Sequence, residues 1–373
     1  MVRLEALNAL YGDALLLHYE SKGKQRLWLI DGGPTSTWSD YSKNRLAQLP
    51  RKDGKLTVDL AMLSHVDDDH VNGLLKMTKA MVEDHPSASF IEIRRFWHNS
   101  FADLVGSPAS LKKGLASLAG AQNAAAAVMA ADSLTLDVAG APLDDWREFA
   151  VLATIGKGRE LRDYLTTLGL TGNDPFGGTI SSASGKKPID GANVTIVGPI
   201  ASRLEKFRKK WEAESGDAAA LASLFSDKLD ISPTNLSSLV MLVEIDGKKI
   251  LLTGDARGDD IVDGFKDAGL GGDLPMKLDI LKLPHHGSKR NITEDFLKKF
   301  PADHYVLSAD GRHGNPDKDT IRAIVQVRAN DRYTMHCTNT IAGIPELLAS
   351  LKPGKKFEYA FRDPNEPSIM IDV

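Results

Sequence analysis

Residues able to hold a cation or move a proton fall in a few short segments of this 373-residue chain. The densest is His65-Val66-Asp67-Asp68-Asp69-His70. Asp31, His98, Asp255, His285, His286, Asp310 and His313 supply the others. Imidazole nitrogen and carboxylate oxygen are good ligands for zinc, manganese and iron. Residues two apart in an extended segment project the same way, so His65 and Asp67 can face one ion while Asp69 and His70 turn toward a second. Two cations a few ångströms apart need a bridging anion to offset their repulsion, and Asp255, after Leu251-Leu252-Thr253-Gly254, is the candidate bridge. A competing reading makes the acidic run a cap for a helix starting near Val71, because Asp favours helix N-termini. That reading suits Asp68. For His65, Asp67, Asp69 and His70 the expectation is ligation.

Each of these residues stands at or just beyond the end of a segment that reads as a β-strand. Ala14 to Tyr19 and Gln25 to Ile30 flank a polar turn, and the second runs into Asp31-Gly32-Gly33. Val58 to Leu63 leads to His65, and residues 90–97 lead to His98. Ser238 to Glu244 and Lys249 to Thr253 lead to Asp255; Leu278 to Leu283 leads to His285 and His286; His304 to Leu307 leads to Asp310 and His313. Strand ends are rigid places from which to present reactive groups, and several of them each delivering His or Asp is hard to explain by packing. Helical spacing is predicted over 71–84, 258–268, 292–300 and 317–328. Strands alternating with helices predict sheet layers covered by helices. Residues 101–235 differ: helices are predicted at 111–132, 144–168, 201–215 and 217–229, with a loop over 171–191 and a strand over 192–197. This block reads as an insertion.

Composition narrows the chemistry further. A single Cys, Cys337, permits neither an internal disulfide nor a cage of several thiolates, so a bound metal must be held by His and carboxylates. Fifty acidic residues against 46 basic ones give a net charge of -4, which provides no global attraction to nucleic acid or anionic membrane. Apolar runs such as Leu15 to Leu17 and Ala124 to Ala127 fall far short of the roughly 20 residues a membrane span needs. The N-terminal segment lacks the pattern of a signal peptide, so a cytoplasmic location is the expectation.

The ordered motifs His65-x-Asp67-x-Asp69-His70-x-x-Gly73, Thr253-Gly254-Asp255, Pro284-His285-His286-Gly287-Ser288 and the early Asp31-Gly32-Gly33 resemble those of the metallo-β-lactamase-fold hydrolases. They are most similar to the soluble hydrolase domain of the ComEC/Rec2-like branch, in which Asp commonly replaces the middle His of the family's first motif, as Asp67 does here. The likeness spans roughly 1–100 and 235–320. It implies an α/β fold, an αββα four-layer sandwich, with one domain over 1–373 and 101–235 as a mostly helical insertion or cap. It also implies two divalent metal ions, zinc or manganese. His65 and Asp67 would hold the first, Asp69 and His70 the second, and Asp255 would bridge them. His98 would complete the first site. The last ligand is His286 or His285, with His286 favoured and His285 left to an outer or substrate contact. Asp31 would orient a ligand from behind. Either His313 or Asn315 would face the reaction centre, His313 being favoured as proton donor or phosphate contact.

The expected function is hydrolysis of a phosphodiester, in a nucleotide or nucleic acid, by metal-activated water, with Asp69, His285 and His313 beside the reacting atoms. Ser288, Lys289 and Arg290, at the start of a predicted helix, and Arg312 would receive phosphate oxygens. An ester, lactone or lactam is the alternative substrate. A non-catalytic partner-binding protein with a vestigial metal site is the alternative class. The basic run Arg203 to Lys210 reads as a solvated helix face rather than a surface tracking a nucleic-acid backbone. The insertion would wall the site or support a homo-oligomer. His18, His85, His304 and His336 are expected to be ordinary surface or core residues.

Overall fold

Along the strand Leu15–Ser21, Leu15, Leu17 and Tyr19 turn one way and Leu16 the other, and all four are buried. A strand apolar on both faces must be covered on both. The same holds for Lys24–Ile30, where Trp28 and Ile30 oppose Leu27 and Leu29, and for Val240–Ile245, where Met241 and Val243 oppose Val240 and Leu242. The coordinates are a computed structural model that describes residues 1–106, 109, 113–114, 146–217, 220 and 238–373.

Two sheets meet the demand for double cover. One has six strands in the spatial order β16 (Ser368–Asp372), β1 (Val2–Leu7), β2 (Leu15–Ser21), β3 (Lys24–Ile30), β5 (Leu60–Met62) and β7 (Phe96–Trp97). The other has eight: β15 (Glu358–Phe361), β14 (Thr334–Cys337), β13 (Ala302–Leu307), β12 (Leu278–Lys282), β11 (Lys248–Leu252), β10 (Val240–Ile245), β9 (Ala192–Gly198) and β8 (Lys186–Ile189). Leu4, Leu17, Trp28 and Met62 of the first pack face to face with Ile196, Met241, Ile250 and Ile280 of the second. Phe265, Phe296, Ile321 and Leu348, from four helices, cover the outer face of the eight-stranded sheet. Leu46, Val71 and Leu74, from two helices, cover the outer face of the other. The result is an αββα sandwich, the fold class expected from the sequence.

The structure corrects several boundaries. Val58 to Leu63 is not one strand. Asp59 turns its buried carboxylate to the Arg26 and Arg94 guanidinium groups at 2.7 and 2.8 Å and accepts the Leu27 N–H at 3.1 Å. The chain breaks there, leaving β4 (Leu56–Val58) to pair with β6 (Ile91–Ile93) in a separate two-stranded sheet, so residues 90–97 are split as well. Within 101–235, β8 and β9 extend the eight-stranded sheet and therefore belong to the sandwich. The helix Trp146–Thr167 buries Leu161 and Leu165 against the outer face of the six-stranded sheet. Helices predicted over 111–132 and 217–229 lie outside the described residues apart from isolated positions. No helix among the described residues is long and apolar enough to cross a membrane.

On neighbouring β13 and β14, His304 Nδ1 lies 2.9 Å from His336 Nε2. Burial, then the His304 charge, pushes the His336 imidazole down to about 4, and burial lowers His304 too. An unfolded imidazole titrates near 6.5, so this pair's stabilisation is complete above that pH and is lost as pH falls toward 4. Urea midpoints should show the protein losing about 2 kcal/mol from this source between pH 7 and pH 4.5. His336→Gln should flatten that dependence; an unchanged pH profile in the variant would refute it.

Candidate metal centre

The helix Asp68–Val82 docks its first turns directly on the strand ends, and glycine makes this feasible. A Cβ on Gly73 would lie 1.9 Å from the Gly32 carbonyl oxygen, and one on Gly12 would lie 1.9 Å from that of Asp69. In their place are backbone hydrogen bonds: Asp13 N–H to Asp69 O at 3.1 Å, Gly32 N–H to His70 O at 2.7 Å, and Gly73 N–H to Gly33 O at 3.0 Å. Asp69 and His70 are thereby fixed relative to both the β1–β2 and β3 turns. Asp67 occupies the N-cap position, yet its side chain caps nothing. Its carboxylate instead stands 3.4 Å from His65 Nε2. The helix Trp146–Thr167 backs this segment: Lys157 pairs with Asp68, and Gly158 lies beside Val66.

Asp255, reached through Gly254 at φ 49°, enters from the other sheet. Its Oδ1 lies 3.3 Å from His70 Nε2 and 3.5 Å from His286 Nε2. Its Oδ2 lies 3.6 Å from His285 Nε2 and 3.8 Å from His65 Nε2. Asp69 approaches His286 Nε2 at 3.3 Å and His70 Nε2 at 3.8 Å. Asp69, His70, Asp255 and His286 each offer one atom within 4.8 Å of the others. His285 and His286 both adopt left-handed backbone, φ 46° and 55°. Such residues cost on the order of 1–3 kcal/mol each and persist where surrounding structure enforces them. Here the His285 N–H donates to Gly254 O at 3.1 Å, and Asn315 Nδ2 donates to His285 O at 3.4 Å.

The donor set fits a cation. His70 Nδ1 is 2.9 Å from Asp31 Oδ2, His286 Nδ1 is 3.0 Å from Ser308 O, and His65 Nδ1 is 3.0 Å from Ser64 Oγ, which itself donates to Asp31. With each Nδ1–H donated outward, each Nε2 lone pair points into the cluster. Those three Nε2 atoms and Asp255 Oδ1 are buried without a hydrogen-bond partner. Buried polar atoms are rarely left so, and a cation among Asp69, His70, Asp255 and His286 would account for those of His70, His286 and Asp255 together. Burial alone would lower the His70 and His286 imidazoles, but Asp255 with Asp69 or Asp13 outweighs it and raises both. Burial would raise the Asp255 carboxyl, but His286, His70 and His285 hold it well below the ordinary carboxylate range. Metal binding would release those imidazole protons.

A crystal structure of the metallo-β-lactamase fold protein YhfI from Bacillus subtilis is similar to this chain over 99% of its length and 98% of YhfI, with 11% identity and a TM-score of 0.40. No family model matches the chain, and no curated protein matches it.

Behind the ligand atoms lies a layer that sequence reasoning reached in part. Asp31, at φ 59°, accepts from Ser64 N–H at 2.6 Å as well as facing His70. Asp13 and Lys282 were missed. Lys282 is fully buried, with Nζ 2.5 Å from Asp13 Oδ2, and Asp13 Oδ1 faces His286 Nδ1 at 3.5 Å. Lys282 directly follows Ile280 and Leu281 and precedes Leu283 at the end of its strand, and that placement was the available signal.

Several expected site residues sit differently from their forecast. His98 is buried with both ring nitrogens unpartnered, its ring edge-on to Phe96, and burial pushes it down to about 4 with Asp103 and Arg162 as the charges acting on it. No contact joins it to the Asp255 cluster; Asn173 instead binds its backbone on both sides, accepting the N–H and donating to the carbonyl. Ser288 to Arg290 do not begin a helix. The helix is Glu294–Lys299, capped by Thr293 Oγ1, because that side chain can accept the Phe296 N–H. Lys289 Nζ extends toward Asp319 at 3.4 Å. Arg312 lies 4.5 Å over the Tyr11 ring, His313 meets the same ring edge-on at 5.2 Å, and both line a cleft of about 60 Å³ with Tyr11, Asp69, His285, His286 and Asn315. Tyr11, beside the Gly12-Asp13 turn, was also missed.

Asp31→Asn should lower divalent-metal affinity about 10- to 100-fold, as outer partners of ligands do. Competition with a metallochromic chelator measures it; affinity equal to that of the unsubstituted protein would remove the orienting role. Gly73→Ala should lower Tm sharply, whereas the exposed Lys76→Ala on the same helix should not.

Proposed function

We propose that this chain is a metal-dependent hydrolase of phosphodiesters with a dinuclear centre. The observation that carries the proposal is the two-sided Asp255 carboxylate, with His70 and His286 on Oδ1 and His65 and His285 on Oδ2. In this reading Asp69, His70 and His286 hold one divalent cation, and His65, Asp67 and His285 the other. Asp255 bridges them. His285 thus takes the place expected of His98, and the metals are zinc or manganese by ligand type.

When bound, such cations lower the pKa of a shared water and neutralise charge developing on the phosphoryl oxygens. The chain's own residues do the rest. Asp69, partly exposed beside the cleft, can accept a hydrogen bond from the attacking water while holding its cation. Arg312 and His313, exposed at the cleft mouth, supply a charge for a nonbridging oxygen and a proton for the leaving group. Asp31, Asp13 and Ser308 fix the imidazoles from behind, so that little reorganisation accompanies reaction.

The substrate is small in this reading. In the helix Ala201–Glu214, Arg203 pairs with Asp260 and Asp263, and Arg208 donates to the Leu104 and Asp103 carbonyls. The basic run is thus partly consumed within the fold and is a poor track for a long polyanion.

Metal-reconstituted protein should hold about two equivalents by elemental analysis and cleave bis-p-nitrophenyl phosphate. Asp69→Ala and His70→Ala should stay folded by circular dichroism and lose more than about a hundredfold in kcat, exceeding the usual effect of an outer partner. Undiminished cleavage by these variants, or by metal-stripped protein, would sink the proposal.

A further inference from the structure

The cleft at the metal centre, about 60 Å³, has room for only a few water molecules. It can take the reacting group and little else. A second cavity of about 370 Å³, within the ordinary range for ligand pockets, lies next to it, with Gly311 lining both. Its apolar wall is Pro316, Ile341, Ala342 and Ile344. Gly311 stands between the two at φ 88°, a conformation other side chains resist, and a Cβ there would come 2.8 Å from Ile341 Cγ2.

The charges around this cavity do not cancel. Asp319 accepts from Lys289 Nζ at 3.4 Å and from Arg322 at 2.9 Å, and Asp317 accepts the Lys289 N–H at 2.8 Å. Lys318 Nζ stands over Gly343, where a Cβ would approach it to 2.7 Å. Among the described residues no ion pair or hydrogen bond engages it. The lining itself carries Lys318, Asp317 and Asp319; Asp319 is met from outside it by Lys289 and Arg322, and Lys318 is the cation left without a partner among the described residues.

We propose that the cavity beyond Gly311 is a subsite for the part of the substrate that does not react, and that Lys318 selects phosphodiesters carrying a second, terminal phosphate. This rests on the phosphodiester reading above and narrows it to dinucleotide-sized substrates. An ammonium on a flexible stem suits a terminal phosphate, whose position can vary, better than a fixed planar group would. The apolar wall suits a sugar or base face.

The test compares a thymidine dinucleotide bearing phosphates at both ends with the same dinucleotide lacking them. The metal-loaded protein should prefer the phosphorylated form about tenfold in kcat/KM. Lys318→Met should bring that ratio close to one, and Lys318→Arg should keep most of it. Ala342→Trp, which fills the cavity, should raise KM for both dinucleotides. A ratio unchanged by Lys318→Met, or a KM indifferent to Ala342→Trp, would overturn the subsite. If neither dinucleotide is cleaved, the phosphodiester reading fails, and calorimetric titration with the doubly phosphorylated dinucleotide decides the subsite by itself. Binding weakened about tenfold by Lys318→Met would support it, and equal binding to both proteins would overturn it.

Discussion

The closeness of three backbone segments governs this molecule. Gly12, Gly32 and Gly73 let the β1–β2 turn, the β3 turn and the helix Asp68–Val82 meet at hydrogen-bonding distance, where a single methyl group would collide with backbone atoms. Because the contact is made by backbone, it has no rotamers to vary. Asp13, Asp31, Asp69 and His70 are each within two residues of one of these bonds or form part of it. Side chains arriving from separate elements are thereby given one geometry before any ion contributes, which is what preorganisation requires of a reactive site.

That geometry has an electrostatic consequence. Packing Asp255, Asp69, Asp31 and Asp13 together in the interior would be prohibitive if they were left uncompensated. The chain answers in two ways. Toward the rear it uses a fixed cation, with Lys282 buried against Asp13. Toward the front it uses imidazoles, whose raised affinity for protons shows how strongly the carboxylates call for positive charge there. The rear compensation is permanent and the front compensation can be exchanged. A divalent ion would replace the imidazole protons, whereas the Lys282 ammonium would keep its pair with Asp13.

The sequence was most legible where one residue type served one purpose. Apolar, β-prone runs at β2, β3, β10 and β13 pointed to the sheets, and the His and Asp residues that follow strands pointed to the cluster around Asp255. Legibility failed where a contact distant in sequence decided the outcome. Nothing local in Val58 to Leu63 announces that Arg26 and Arg94 will converge on Asp59 and split the run. Nor does anything local to His98 announce that Asn173, seventy-five residues on, will bind its backbone on both sides. The closing strand β16 pairs with β1 from the far end of the chain, a register that periodicity cannot supply.

His285 shows how a local oddity can be read once the surroundings are known. Two successive histidines in left-handed backbone are a strained arrangement, and a strand that simply ended in a loop would relax it. The arrangement turns adjacent side chains to opposite oxygens of Asp255, Oδ2 for His285 and Oδ1 for His286. A regular extended pair would also diverge, but would send one ring back into the sheet. The strain therefore buys what a single strand end cannot otherwise deliver, two neighbouring imidazoles on one carboxylate. The adjoining Gly287, with Pro316 packed where its Cβ would be, carries the same constraint onward to the loop that holds Arg312 and His313.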